Sequence, residues 1–226
     1  MVRLETFPDR DAVAGAAASV LAAALHGEGK RSFIATGGTT PGPTYDRLAK
    51  APLDWAQITI APTDERFVDP SRPDSNAHLL RTRLLVGHAA AASFVPLKRH
   101  GARPQDDAKA AEPEIAGLLP SAAMLLGMGP DGHVGSLFPG AHDLAAHLDL
   151  DGERLVVGVP VSPDKPKEPR ISLTLAAMVK TGLIVILITG EEKRGVVERA
   201  LGGDASLPVG AVLSQSRAPV RILWAP

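Results

Sequence analysis

The side chains best suited to acid–base chemistry are Asp131 and His133, two residues apart in LLGMGPDGHVGSLFPG (residues 125–140). An imidazole titrates near neutral pH, so it can take a proton from water and give it back, and a carboxylate beside it can fix its tautomer and orientation. The same stretch has a second reading. Gly127, Gly129 and Gly132 spell G-x-G-x-x-G after an apolar run, with Asp151 and Glu153 about 20 residues on, the outline of a dinucleotide-binding turn. Pro130 counts against it by removing an amide N–H where a pyrophosphate would be cradled, and Pro139 cuts short the helix that should follow. What remains is a loop that presents Asp131 and His133, with Gly132 free to take backbone angles that a side chain forbids. A metal centre is not expected, because His142 and His147 follow His133 at spacings of 9 and 5 and share no helical face with it.

Residues suited to holding an anion recur elsewhere. In ATGGTTPGPTYDRL (35–48), the backbone of Gly37, Gly38, Thr39 and Thr40 precedes a helix and, with the threonine hydroxyls, can cradle a phosphate. Gly37, Gly42 and Thr44 nearly complete a P-loop, but Pro43 stands where its lysine belongs, so a monophosphate fits better than a nucleotide. In APTDERFVDPSRPDSN (61–76), Asp64, Glu65 and Arg66 read first as a solvated charged turn and Asp74 or Ser75 as a helix N-cap; Arg66 can clamp an oxyanion with paired donors. In TGEEK (189–193), Thr189 and Glu192 have capping-box spacing, whereas Lys193 in a first helical turn opposes the helix dipole unless an anion sits there. The Pro-rich SPDKPKEPRISLTL (162–175) carries Arg170 at the edge of ordered structure, and Lys165 and Lys167 read as a solvated basic loop.

Such residues need a scaffold that gathers them. Strands are predicted at 32–36, 58–62, 93–97, 122–127, 154–160, 183–189 and 220–224, and helices at 9–26, 43–50, 75–86, 105–119, 191–201 and 207–214. Several strands are apolar without alternation, as strands covered on both faces should be. The rhythm predicts an α/β fold: three layers, with a mainly parallel, Rossmann-like sheet and helices on both faces. Sheets of this kind collect ligands at the carboxyl ends of their strands, where TGGTTPGPT, TDER, GMGPDGH and TGEEK fall.

The totals agree. At 226 residues and 45% hydrophobic the chain can bury a large core, and one domain, 1–226, is expected. With 24 Lys and Arg against 25 Asp and Glu, and 4% aromatic, nucleic acid is not an expected partner. The absence of cysteine excludes disulfides and thiolate chemistry. The N-terminus MVRLETFPDRD has no signal-like apolar region and TGLIVILITG is too short to span a bilayer, so no membrane partner and a cytoplasmic location are expected.

Taken in order, TGGTTP, DERFVDPSRPDSN, GMGPDGHVGSLFPG, EPRISLT and TGEEK resemble the 6-phosphogluconolactonase family over nearly the whole chain. The second and third motifs are specific, whereas the first alone is weak. The resemblance implies the fold shared with glucosamine-6-phosphate deaminase, hydrolysis of 6-phospho-D-glucono-1,5-lactone to 6-phosphogluconate in the oxidative pentose phosphate pathway, and no cofactor. Read from the residues themselves, His133 and Asp131 are expected as the catalytic pair, and Gly37, Gly38, Thr39, Thr40, Arg66, Arg170 and Lys193 as phosphate- or substrate-binding residues. Val134 and Gly135 depart from the family's usual D-G-H-T-A-S, and RILWAP lacks the acid often found near the family's C-terminus. The nearest alternative is a deaminase-like isomerase, whose loop carries a carboxylate five residues after the histidine; Phe138 holds that place here. Another is a non-catalytic sugar-phosphate sensor, for which the chain offers no basic recognition helix.

Overall fold

The computed structural model describes residues 2–162 and 167–226. Among these, the elements in chain order are β1 (Val2–Thr6), α1 (Arg10–Leu25), β2 (Arg31–Ala35), α2 (Gly42–Leu48), β3 (Ile58–Pro62), β4 (Asp64–Arg66), α3 (Asn76–Arg83), β5 (Ser93–Phe94), α4 (Pro104–Gly117), β6 (Ala123–Leu126), α5 (Leu144–His147), β7 (Val156–Val159), β8 (Arg170–Leu173), α6 (Leu175–Met178), β9 (Ile184–Thr189), α7 (Glu191–Leu201), α8 (Pro208–Ser214) and β10 (Val220–Ala225). Seven strands form one sheet in the order β1-β10-β9-β6-β2-β3-β5, every pair parallel. The other three form a small antiparallel sheet, β4-β8-β7.

The central strands show why their sequences do not alternate. Ile34, Met124, Ile184, Ile186 and Ile222 enter one buried cluster with α4, α7 and α8, while Phe33, Ala35, Leu125, Val185, Leu187 and Leu223 enter a second with α1, α2 and α3. Successive residues of a strand point to opposite faces, so a strand between two helical layers must be apolar at every position. The expected three-layer α/β fold is therefore present, with the Rossmann-like sheet wholly parallel.

Several local expectations need correction. The predicted 154–160 strand is β7 and joins the small sheet, and the 93–97 strand shortens to Ser93–Phe94, with Val95 N still donating to Ile60 O. Asp64–Arg66 is not a solvated turn but strand β4, with Asp64 7% and Glu65 1% exposed. Hydrogen bonding makes this tolerable: the Glu65 carboxylate accepts from the backbone of Arg66, Asn76 and Ala77 and from Ser75 Oγ. Burial still pushes the Glu65 carboxyl above its ordinary value, against the pull of those donors. Ser75 is the N-cap of α3, as predicted, with its side chain accepting from His78 N. The capping box of α7 is not formed: its N-cap is Gly190, with no side-chain cap bond, and Thr189 ends β9.

Candidate active site

A cavity of about 450 Å³ opens at the carboxyl ends of β2, β6 and β9, bounded by β4 and β8. It is lined by Gly37, Gly38, Thr39, Thr40, Arg66, His133, Arg170 and Lys193, so all the expected substrate-binding residues and the histidine meet there. Asp131 joins them through His133: its Oδ1 lies 2.5 Å from His133 Nδ1 and 3.3 Å from the His133 backbone N. A carboxylate can only accept, so Nδ1 donates and Nε2 is the ring nitrogen available to the cavity. A second cavity of about 460 Å³ lies at the amino ends of the strands and contains none of the expected residues. Lys165 lies outside the described residues, and exposed Lys167 lines the first cavity.

The loop after β6 makes no helix behind its glycines, so the dinucleotide geometry is absent there. It folds back on itself instead. Gly129 N donates to His133 O and Gly132 N to Gly129 O, and Val209 N at the start of α8 donates to Gly132 O. Gly132 takes φ +79, a left-handed conformation that favours glycine. Gly129 is required by close approach, since a Cβ there would stand 2.1 Å from His133 Cε1. Further along, Ser136 Oγ donates to Asp64 Oδ2 at 2.6 Å and Ser136 N donates to Ser172 Oγ at 3.0 Å, tying the loop to β4 and β8.

The remaining elements bring the cations. Arg66 and Arg170 are partners in the antiparallel β4–β8 register, which sets two guanidinium side chains next to each other. Burial lowers the Arg170 pKa, the positive charge of Arg66 lowers it further, and nearby carboxylates oppose both. Arg170 Nε is buried without a hydrogen-bond partner among the described residues. Arg66 Nη1 donates to Asp74 O at 2.6 Å and to Asn76 Oδ1 at 3.4 Å. Lys193, in the first turn of α7, is half-buried; burial lowers its pKa while Glu192 raises it. Partly desolvated cations on one wall and an oriented imidazole on another suit an anionic substrate that reacts by proton transfer.

Among the lining residues not expected as site residues, Asp64, Asn76 and Phe138 make specific contacts. Asp64 is occupied, accepting from Thr63 Oγ1 and Ser136 Oγ. Asn76, read only as part of a helix start, donates to Asp64 O at 2.7 Å and reaches Arg66. Phe138 packs on the His133 ring. Only the Asn and Phe identities within the quoted motifs hinted at these contacts. Among the described residues, no group of three or more His, Cys, Asp or Glu side chains is arranged to hold a metal, and no helix is long and apolar enough to cross a membrane.

Comparison with known proteins extends this picture. The family model for glucosamine-6-phosphate isomerases/6-phosphogluconolactonase matches residues 9–224. A 6-phosphogluconolactonase of Caulobacter vibrioides is 47% identical over 228 aligned positions, covering 99% of this chain and 97% of the relative. The crystal structure of a 6-phosphogluconolactonase from Shewanella baltica superposes with a TM-score of 0.94 at 30% identity, covering 100% of this chain and 98% of that one. A monomeric glucosamine-6-phosphate deaminase shares the fold, with a TM-score of 0.79 at 19% identity over 97% of this chain and 96% of its own. The chain belongs to the glucosamine-6-phosphate isomerase/6-phosphogluconolactonase family.

Proposed function

We propose that this chain is a 6-phosphogluconolactonase that hydrolyses 6-phospho-D-glucono-1,5-lactone to 6-phosphogluconate in the oxidative pentose phosphate pathway, acting in the cytoplasm as one domain over residues 1–226. The observation that carries the reading is the Asp131–His133 pair on the same cavity as Arg66, Arg170 and Lys193. In this reading the Gly37–Thr40 turn, Arg170 and Lys193 hold the phosphate, and the lactone carbonyl lies near His133. Nε2 of His133 takes a proton from water as the water oxygen attacks the carbonyl carbon, and Asp131 steadies the imidazolium that forms. Arg66 and the loop amides face the charge that develops on the carbonyl oxygen. The tetrahedral intermediate then expels the ring oxygen, which takes the proton from His133, and the new carboxyl group loses its own proton to solvent. Water is the only co-reactant, so no cofactor enters.

Phe138 favours hydrolysis over isomerisation, because ring opening and isomerisation of an amino sugar need a further proton-transfer group and this ring cannot supply one. The test is His133→Ala. Loss of a general base costs about 10²- to 10⁴-fold in rate, so kcat should fall by that range after the spontaneous hydrolysis of the lactone is subtracted. A folded variant within a few-fold of wild type would refute the role.

A further inference from the structure

The bond between Asp131 and His133 closes within a single loop, and one oxygen receives both the ring and the backbone of His133. It fixes an imidazole edge relative to that loop. It does not fix where the ring stands relative to the cations on other elements, and a proton transfer depends on that distance.

Ser136 ties the loop backbone to β4 and β8, and a further contact acts on the imidazole ring itself. The Phe138 ring lies 4.6 Å from the His133 ring, centroid to centroid, at an interplanar angle of 44°. Phe138 is 5% exposed, whereas the His133 side chain keeps 26% of its surface open, so the imidazole has a covered side and an open one. Behind Phe138 stands a small buried cluster, formed with Val157 and Val159 of β7. Val159 is in turn the register partner of Arg170 on β8. The contacts therefore run from the imidazole through Phe138 to Val159 and on to the backbone that carries Arg170.

We propose that Phe138 is a positioning residue, which ties the face of His133 to the β7–β8 pair and so sets the distance between the proton-accepting nitrogen and the anchored substrate. It acts through its contact with the base. The inference rests on the reading of His133 as the general base.

Phe138→Leu keeps an apolar group of similar reach but removes the flat ring. A misplacement of about 1 Å can cost on the order of 10²-fold, so kcat per folded molecule should fall about 10- to 100-fold. KM should stay within about 2-fold of wild type, because the phosphate-holding groups are untouched. The His133 Hε1 proton resonance, identified by its loss in His133→Gln, should move when the ring current of Phe138 is removed. If Phe138→Leu does not fold, Val159→Ala loosens the support behind the ring and should move the same resonance and lower kcat in the same direction. The proposal is overturned if kcat per folded molecule is unchanged, or if the resonance moves with no loss of rate. Failure of the underlying reading looks different, since His133→Ala itself would then retain activity.

Discussion

Lys193 shows how one side chain can carry a pH dependence. Burial places its pKa below the ordinary lysine range, so it loses its charge at a lower pH than an exposed lysine does. If it holds the phosphate, affinity for 6-phosphogluconate must fall as the pH rises through that depressed value. Calorimetry should show this decline in wild type, a flat profile in Lys193→Arg, and in Lys193→Ala an affinity about 10- to 100-fold weaker than wild type at pH values where the lysine is charged, with the gap closing as the pH rises. A lactone without phosphate should be hydrolysed equally well by all three; an equal loss on both substrates would remove Lys193 from the phosphate site. The place of Lys193 on the cavity wall was legible in the sequence because a cation in a first helical turn has a physical cost that calls for an explanation. Phe138 and Asn76 carried no such mark, because a ring and an amide become site residues only through what they touch.

At the scale of elements, the loop after β6 matters more than the strands around it. Its glycines look like a nucleotide fingerprint, but Gly129 is there because the imidazole occupies the space a Cβ would need. Gly129→Ala should therefore displace the His133 ring and break its bond to Asp131, lowering kcat about 10²-fold or more, with 6-phosphogluconate affinity changing little. A variant with normal kcat would show that the loop adapts. The apolar central strands were readable because burial on both faces leaves a continuous apolar run, as in Ile184–Thr189. β1, β4 and β8 were not. β1 is a partly exposed edge strand with charged residues, and β4 and β8 are three and four residues long with charged or polar positions. Such segments are strands because a partner lies beside them, and pairing leaves little trace in composition. Asp64 and Glu65 were misread for the same reason, since their donors arrive from Ser75, Asn76, Ala77 and Ser136, far along the chain.

At the scale of the whole molecule, two sheets divide the work. The parallel sheet supplies a rigid floor, and the antiparallel β4-β8-β7 sheet holds Arg66 and Arg170 side by side above it. Like charges opposite one another on neighbouring strands are destabilising, and the Arg66 charge already weighs on Arg170. If the proposed phosphosugar binds against these arginines, its negative charge relieves that repulsion. At a ligand concentration of about 100 times Kd, 6-phosphogluconate should add about 2.7 kcal/mol, or about 5–10 °C in Tm for a domain of this size. Arg170→Met should melt no lower than wild type when empty and gain less on adding ligand; a lower melting temperature for the empty variant would mean that Arg170 is structural.

The Arg66–Arg170 pairing also bears on how long each molecule survives. A protein whose empty form is the less stable one opens more often when its ligand is scarce, and open chains are what proteases cut. If the proposed phosphosugar binds there, its supply tunes how often the folded chain opens as well as how fast it turns over.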